Sequence, residues 1–373
     1  MTSKATPNPS STTPPTRTCL APSVSEAIGL VPYVRLNRIH PLCRSNHVYV
    51  KLESCSPTGS IKDKNAAYLI RLAEEQGKLK PGSTIIESSS GNFGLALASV
   101  GASRGYRVVV VIDAKTPPPI IKMLRAYGAH LEEVPLSLAD EAGSMQKARM
   151  AHAQSLANQT PNAFYPCQHL NPDNPLAHAH HTAVEIAEAF DPFPDAIVIG
   201  VSTAGQLSGI ARYFRIHSPS TEIIAVDVAG SGIFGQPRHP YKMTGIGLSF
   251  PPPALKRCEF DYAYNVSDVL SFSMCHHLAQ KEGLLLGASS GAILCATLAY
   301  AHQRHAQGKS IVVINPDRGD RYMDTVYNPE WLSDNGLTQL SIEQVQHQVT
   351  HLTPVLSPMS QKSAGQNALS SPL

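Results

Sequence analysis

Five short runs of β-branched and aliphatic residues constrain this chain more than any other feature: TIIES at 84–88, RVVVVID at 107–113, AIVIG at 196–200, EIIAVDV at 222–228 and SIVVIN at 310–315. They are nearly continuously apolar, and longer helix-like segments follow them. A strand of that kind has both faces covered, so the pattern predicts an α/β fold of open, mainly parallel sheets wrapped by helices. Ligands of such sheets collect beyond the carboxyl ends of the strands. The turns leaving those ends are therefore where chemistry is expected.

The remaining bulk properties exclude several classes. A length of 373 residues allows two domains or one large α/β unit. A net charge of +2 gives no electrostatic case for nucleic acid or an anionic membrane surface. No run approaches a membrane span, and the start lacks the basic-then-apolar pattern of a signal peptide. Seven scattered cysteines, odd in number and without a C-x-x-C pair, fit a reduced, cytoplasmic chain. Residues 1–20, rich in Ser, Thr and Pro, read as a disordered leader, and the end from about residue 350 reads as similarly loose. The Pro-rich FYPCQHLNPDNP at 164–175 is a boundary between two α/β halves.

Three strand-to-helix turns carry candidate chemistry. SPTGSIKDK at 56–64 delivers Lys62 by a tight turn onto the start of a helix. There the macrodipole and burial both favour a neutral amine able to form a Schiff base, whereas an exposed lysine would simply be solvated. TIIESSSGN ends a strand at about Ser88 and crowds Ser88, Ser89, Ser90, Gly91 and Asn92 into a helix N-terminus, a cup suited to a carboxylate. A plain N-cap would need only one such residue. AIVIGVSTAGQ runs into Ser202, Thr203, Ala204, Gly205 and Gln206, a cradle suited to a phosphate but neither a Walker loop nor a G-x-G-x-x-G turn. A reactive lysine, a carboxylate cup and a phosphate cradle together are what an amino-acid enzyme using pyridoxal phosphate needs. A fourth segment, EGLLLGASSGA, sets Ser289 and Ser290 at a tight turn before a helix, where one could meet the cofactor's ring nitrogen. The run His178–His181 has no acidic or Cys partner at zinc-like spacing, so a helix start is expected there rather than a metal site.

KLESCSPTGSIKDK, SSSGNFG, VSTAGQLSG and EGLLLGASSGA, in that order, resemble the motifs of the fold-type II pyridoxal-phosphate enzymes, the tryptophan synthase β-like fold of the cysteine synthase and cystathionine β-synthase group. The resemblance runs from about Ile28 to Asn328. It implies a smaller mobile domain over 45–165 and a larger phosphate-binding domain over 21–44 and 166–330. Residues 331–373 would be a partly disordered extension. It also implies that Lys62 forms the imine with the cofactor, that Asn92 bonds its phenolic oxygen, and that Ser202–Gln206 wrap its phosphate. Ser289 would face the pyridine nitrogen, and Ser89, Ser90, Gly91 and Gln168 would hold the substrate α-carboxylate. Gly245 and Gly247 would line the site, and Arg318 and Tyr322 would belong to a site-closing loop or to a structural ion pair. Small amino acids are the implied partners, and a homodimer the implied assembly.

Two departures narrow the branch. Cysteine synthases typically carry Gly-Thr-Gly-Gly-Thr in the cradle and Thr after the cup asparagine; here stand Ser202–Gln206 and Phe93. ESSSGN before a bulky residue, VST-x-G and PDRGDRY are more similar to the N-(2-amino-2-carboxyethyl)-L-glutamate synthases of 2,3-diaminopropionate and siderophore formation. That branch implies β-replacement on O-phospho-L-serine through an aminoacrylate, with L-glutamate as amine nucleophile. Arg149 lies near where the branch supplies a cation for the second carboxylate, although a solvated helix face is an equal reading of it. His169 stands where the glutamate-using relative carries an aromatic hydroxyl. The alternatives are a cysteine synthase using sulfide and, from another class, a cofactor-free binding scaffold.

Overall fold

The computed structural model describes residues 20–29, 31–140 and 143–356. The leader expected over 1–20 lies outside the described residues except for Leu20, and so does the tail beyond 356. Ten strands are seen among the described residues. They are β1 (Tyr33–Arg35), β2 (His47–Leu52), β3 (Thr84–Ser88), β4 (Arg107–Asp113), β5 (His130–Val134), β6 (Ala163–Phe164), β7 (Ala196–Gly200), β8 (Glu222–Val228), β9 (Tyr262–Val266) and β10 (Ser310–Asn315). They form two sheets, one of order β1-β2-β10-β7-β8-β9 and one of order β5-β4-β3-β6. Every pairing is parallel except that of β1 with β2.

The continuous apolar runs are explained by cover on both faces. Ala196 and Val198 of β7 pack toward the helices Asp268–Glu282 and Ala288–Gln303. Ile197 and Ile199 point the other way, onto Leu207, Ile210 and Phe214 of the helix Gly205–His217. In the smaller sheet, Val108, Val110 and Ile112 of β4 face the helices Lys62–Glu75 and Asn92–Ser103, while Val109 and Val111 face Met145 and Ala153 of the segment around the helix Gln146–Gln159. Alternate residues are thus buried on opposite sides, and neither side can be polar.

Strand order places the site. From β7 the chain moves outward to β8 and β9, then returns to β10 on the other side of β7. The carboxyl ends of β7 and β10 therefore flank a topological switch point, the usual crevice of an open α/β sheet.

Three expectations are corrected. β2, inside the stretch 45–165 assigned to the smaller domain, is a strand of the larger sheet, because its VYVKL run pairs in register with β10 from His47↔Ser310 to Leu52↔Asn315. The extension is docked as far as Leu356. Its helix Ile342–His351, started by a Ser341–Gln344 capping box, buries Val345 and Val349 against the core, and Val355 and Leu356 bond to Ala263 of β9. Two valines four residues apart on one helix face supply that anchorage. Finally, His178–Thr182 is not a helix start but a π-helical turn between Asn174–Ala177 and Ala183–Ala189, where His178 bonds Thr182 at 3.0 Å.

Candidate active site

Lys62 is the first residue of its helix, at the end of a turn closed by its own neighbours. Gly59 adopts φ +83, a region that favours glycine, and a Cβ there would meet Arg318 Nε at 2.7 Å. Thr58 N–H donates to Asp63 Oδ2 at 2.8 Å, and the Thr58 hydroxyl donates to Oδ1. The acid after the lysine is therefore a clamp on the turn. Burial lowers the Lys62 ammonium to about 8, with the charge of Asp317 pulling weakly the other way. An amine so placed is neutral in roughly a tenth of molecules at pH 7, far more than an exposed lysine, which eases formation of a Schiff base.

At the end of β3 the cup is divided in use. Ser89 Oγ accepts from the Gly94 N–H at 2.9 Å and so caps the helix Asn92–Ser103. Its oxygen accepts there, and its O–H remains a donor on the cavity lining. Ser90 and Gly91 line the cavity, as does Gln168. Beneath them Glu87, fully buried, accepts from the backbone N–H of Ser88 at 2.8 Å and of Gln168 at 3.2 Å, and burial raises its carboxyl to about 8. It fastens the Gln168 loop to β3.

At the end of β7, Ser202–Ala204 turn into the helix that begins at Gly205. Ala204 takes φ +59, a left-handed conformation that costs a non-glycine residue about 1–2 kcal/mol. A Cβ on Gly205 would lie 2.5 Å from Asn174 Oδ1, and Asn174 Nδ2 reaches Gln168 O at 2.6 Å and Thr203 Oγ1 at 3.3 Å. One asparagine thus registers the cradle against the Gln168 loop. Gln206 Nε2 is buried without a partner among the described residues. Ser289 and Ser290 lie inside the first turn of the helix Ala288–Gln303, not before it. Ser290 Oγ accepts from Asn315 at 2.7 Å, whereas Ser289 Oγ is buried and unpartnered among the described residues. Gly245, at φ +92, approaches it, for a Cβ there would be 3.4 Å from Ser289 Oγ.

A cavity of about 340 Å³ gathers Lys62, Ser89–Asn92, Arg149, Gln168, His169, Ser202–Gln206, Gly245 and Gly247; Ser289 stands behind Gly245, off the lining. Arg149, on the helix Gln146–Gln159, is not on a solvated face. It is paired with the buried Asp113, and its Nε has no partner among the described residues. His169 is buried, and burial, then Arg149 and Lys62, hold its imidazole down at about 4, so it is neutral near pH 7. Its Nε2 meets Gln146 Nε2 at 3.0 Å and its Nδ1 is unpartnered, which makes Nε2 the acceptor and Nδ1 the N–H. Arg318 pairs with Asp320 at 3.5 Å and half exposed, the ion-pair reading rather than a direct site contact.

Asp317, Arg321, Glu87 and Asn174 belong to the site without having stood out in the sequence. Asp317 and Arg321 lie in a motif already singled out, PDRGDRY, but their partners are Asn92 and Thr58, far away in the chain. Glu87 and Asn174 carry no local signal beyond a polar residue in an apolar or turn context. Among the described residues no group of three or more His, Cys, Asp or Glu could hold a metal.

The site suits pyridoxal phosphate: among the described residues a lysine of lowered basicity and an unpartnered amide donor at Gln206 line one cavity, and an unpartnered hydroxyl at Ser289 stands just behind its Gly245 wall. A family model described as pyridoxal-phosphate dependent enzyme matches residues 24–317. The N-(2-amino-2-carboxyethyl)-L-glutamate synthase of Ralstonia nicotianae is 39% identical over 314 residues, 84% of this chain and 92% of its own. The protein of that name from Cupriavidus metallidurans is 36% identical over 313 residues, 83% and 91% of the two chains. Among solved structures, an O-acetylserine dependent cystathionine β-synthase from Helicobacter pylori matches with a TM-score of 0.77 at 33% identity, covering 83% of this chain and all of that one. The chain belongs to the pyridoxal-phosphate-dependent enzymes, and within them it is a β-substituting synthase of the cysteine synthase-like, fold-type II kind.

Proposed function

We propose that the enzyme replaces the phosphate of O-phospho-L-serine with the amine of L-glutamate, giving N-(2-amino-2-carboxyethyl)-L-glutamate and phosphate for 2,3-diaminopropionate and siderophore formation. The C–O bond to phosphate breaks, a C–N bond to glutamate forms, and the proton lost by the amine balances the departing phosphate. Pyridoxal phosphate, when bound, supplies an aldehyde for amines and a conjugated ring that stores the electron pair left on Cα. Lys62 is the base that removes the Cα proton. Ser89, Ser90, Gly91 and Gln168 hold the α-carboxylate, and Ser202–Gln206 hold the cofactor phosphate. Ser289, a neutral hydroxyl, faces the ring nitrogen without imposing a full positive charge there, which favours elimination over transamination.

The observation that carries the choice of glutamate is Arg149, a guanidinium held in the cavity wall by a buried aspartate with Nε unspent, next to the Nδ1–H of a neutral His169. Two donors at that wall serve a second carboxylate, and glutamate brings one. The names of the two curated relatives support the same reading. Sulfide or a thiol is the second reading, supported by the O-acetylserine dependent relative; it has no need of Arg149. Incubating the enzyme with O-phosphoserine or O-acetylserine and with glutamate or sulfide, then weighing the product, decides donor and nucleophile. Arg149→Ala is expected to raise the KM for glutamate at least ten-fold with little effect on sulfide. Borohydride reduction should label the Lys62 peptide, and Lys62→Ala should lose both the visible absorbance and turnover.

A cytoplasmic homodimer completes the proposal, to be checked by light scattering and fractionation. No helix of the described residues is long and apolar enough to cross a membrane.

A further inference from the structure

Asn92 is held at both ends of its amide. Arg321 Nη1 donates to Oδ1, and Nδ2 donates to Asp317 Oδ2 at 2.7 Å. The partners have fixed polarity: a guanidinium only donates and a carboxylate only accepts. An amide between them therefore has a single orientation, and the usual ambiguity of a terminal amide is removed. Nδ2 carries two hydrogens, of which Asp317 takes one.

The clamp is itself fixed. Tyr322 OH donates to the same Asp317 Oδ2 at 2.5 Å, and Arg321 Nη2 donates to Thr58 O at 2.6 Å within the Lys62 turn. Position 287 has no side chain, and a Cβ there would sit 1.9 Å from Asp317 Oδ1. Asp317 is 1% exposed and Oδ1 has no partner among the described residues. So buried a carboxylate, with one oxygen unspent, is costly unless it serves the site.

We propose that Asp317 and Arg321 are positioning residues that polarise Asn92, so that the group it turns into the cavity is always an N–H and never the carbonyl. The inference rests on the reading of Lys62 as the cofactor lysine. Under that reading the N–H meets the anionic phenolic oxygen of the cofactor. Without the clamp the amide can turn its carbonyl to that oxygen, losing a hydrogen bond to a charged acceptor, which is worth roughly ten-fold or more in affinity.

The test is a double-mutant cycle on the full-length protein, read by the affinity of the apo-protein for pyridoxal phosphate, by the visible band of the holo-protein and by Tm. Asp317→Asn keeps the volume but not the fixed polarity, and Arg321→Met removes the donor. Each is expected to weaken cofactor binding about ten-fold and shift the band. Neither should weaken it further in an Asn92→Ala background, because both act through that amide. Effects that add in the Asn92→Ala background, or an unshifted band with unchanged affinity, overturn the proposal. If Asp317→Asn fails to fold, the Arg321→Met cycle measures the same coupling. Borohydride labelling of the wild-type protein separates the two readings. A label off Lys62 overturns the cofactor assignment, whereas additivity with the label on Lys62 overturns only the clamp.

Discussion

Ser89 and Ser90 stand side by side at the end of β3, and their hydroxyls do different work. Ser89 Oγ accepts from the Gly94 N–H besides lining the cavity, while Ser90 only lines it. Ser89→Ala should cost about 1 kcal/mol of stability, as loss of a helix cap does. Ser90→Ala should leave the urea midpoint unchanged and raise the KM of the amino-acid donor several-fold. His169 carries a pH signature. Its folded value of about 4 lies below the ordinary 6.5, so as pH falls the unfolded chain binds the proton first. The stability it contributes is complete above pH 6.5 and is lost as pH falls toward about 4. His169→Gln should therefore flatten the stability–pH curve in that window, by about 3 kcal/mol relative to the parent, measured by urea unfolding at each pH.

At the scale of elements, strand-to-helix turns are the working parts, and what backs them matters as much as what lines them. The helix Ile342–His351 packs on the two helices that include Ala288–Gln303, whose first turn presents Ser289. Truncation after Leu340 would expose the surface now covered by Val345 and Val349. The expected loss is about 3 kcal/mol or more, at 1.5–3 kcal/mol per buried aliphatic side chain, seen as a lower denaturant midpoint. The second effect expected is weaker cofactor retention, because the Ala288 helix loses its backing. The turn around Lys62 depends on Asp63 in the same way, since its carboxylate closes the loop through Thr58.

Across the whole molecule, four buried or nearly buried charges join β2 to the helices Lys62–Glu75 and Ala183–Ala189. Lys51 of β2 and Lys64 of the Lys62 helix share Glu53 and Glu185, with Lys64 at 2.8 Å from Glu53 and 2.6 Å from Glu185. Removing one member leaves an uncompensated buried charge, so Glu53→Ala should cost about 3–5 kcal/mol in thermal or urea unfolding. The buried pair Arg149–Asp113 and the Asp317–Asn92–Arg321 clamp likewise draw their members from distant segments. The five apolar runs, now β3, β4, β7, β8 and β10, and the turns that follow β3 and β7 were legible in the amino-acid order alone, because an apolar run and the turn that follows it are contiguous. Lys62, the cup, the cradle and the α/β class could therefore be read directly. Packing alone settles which sheet β2 joins, which of Ser289 and Ser290 is unpartnered among the described residues, and that Asp317 holds an asparagine 225 residues away. Those outcomes are choices of partner, and a polar group's partner is set by which segments packing brings within 3 Å, a quantity no local stretch of residues contains.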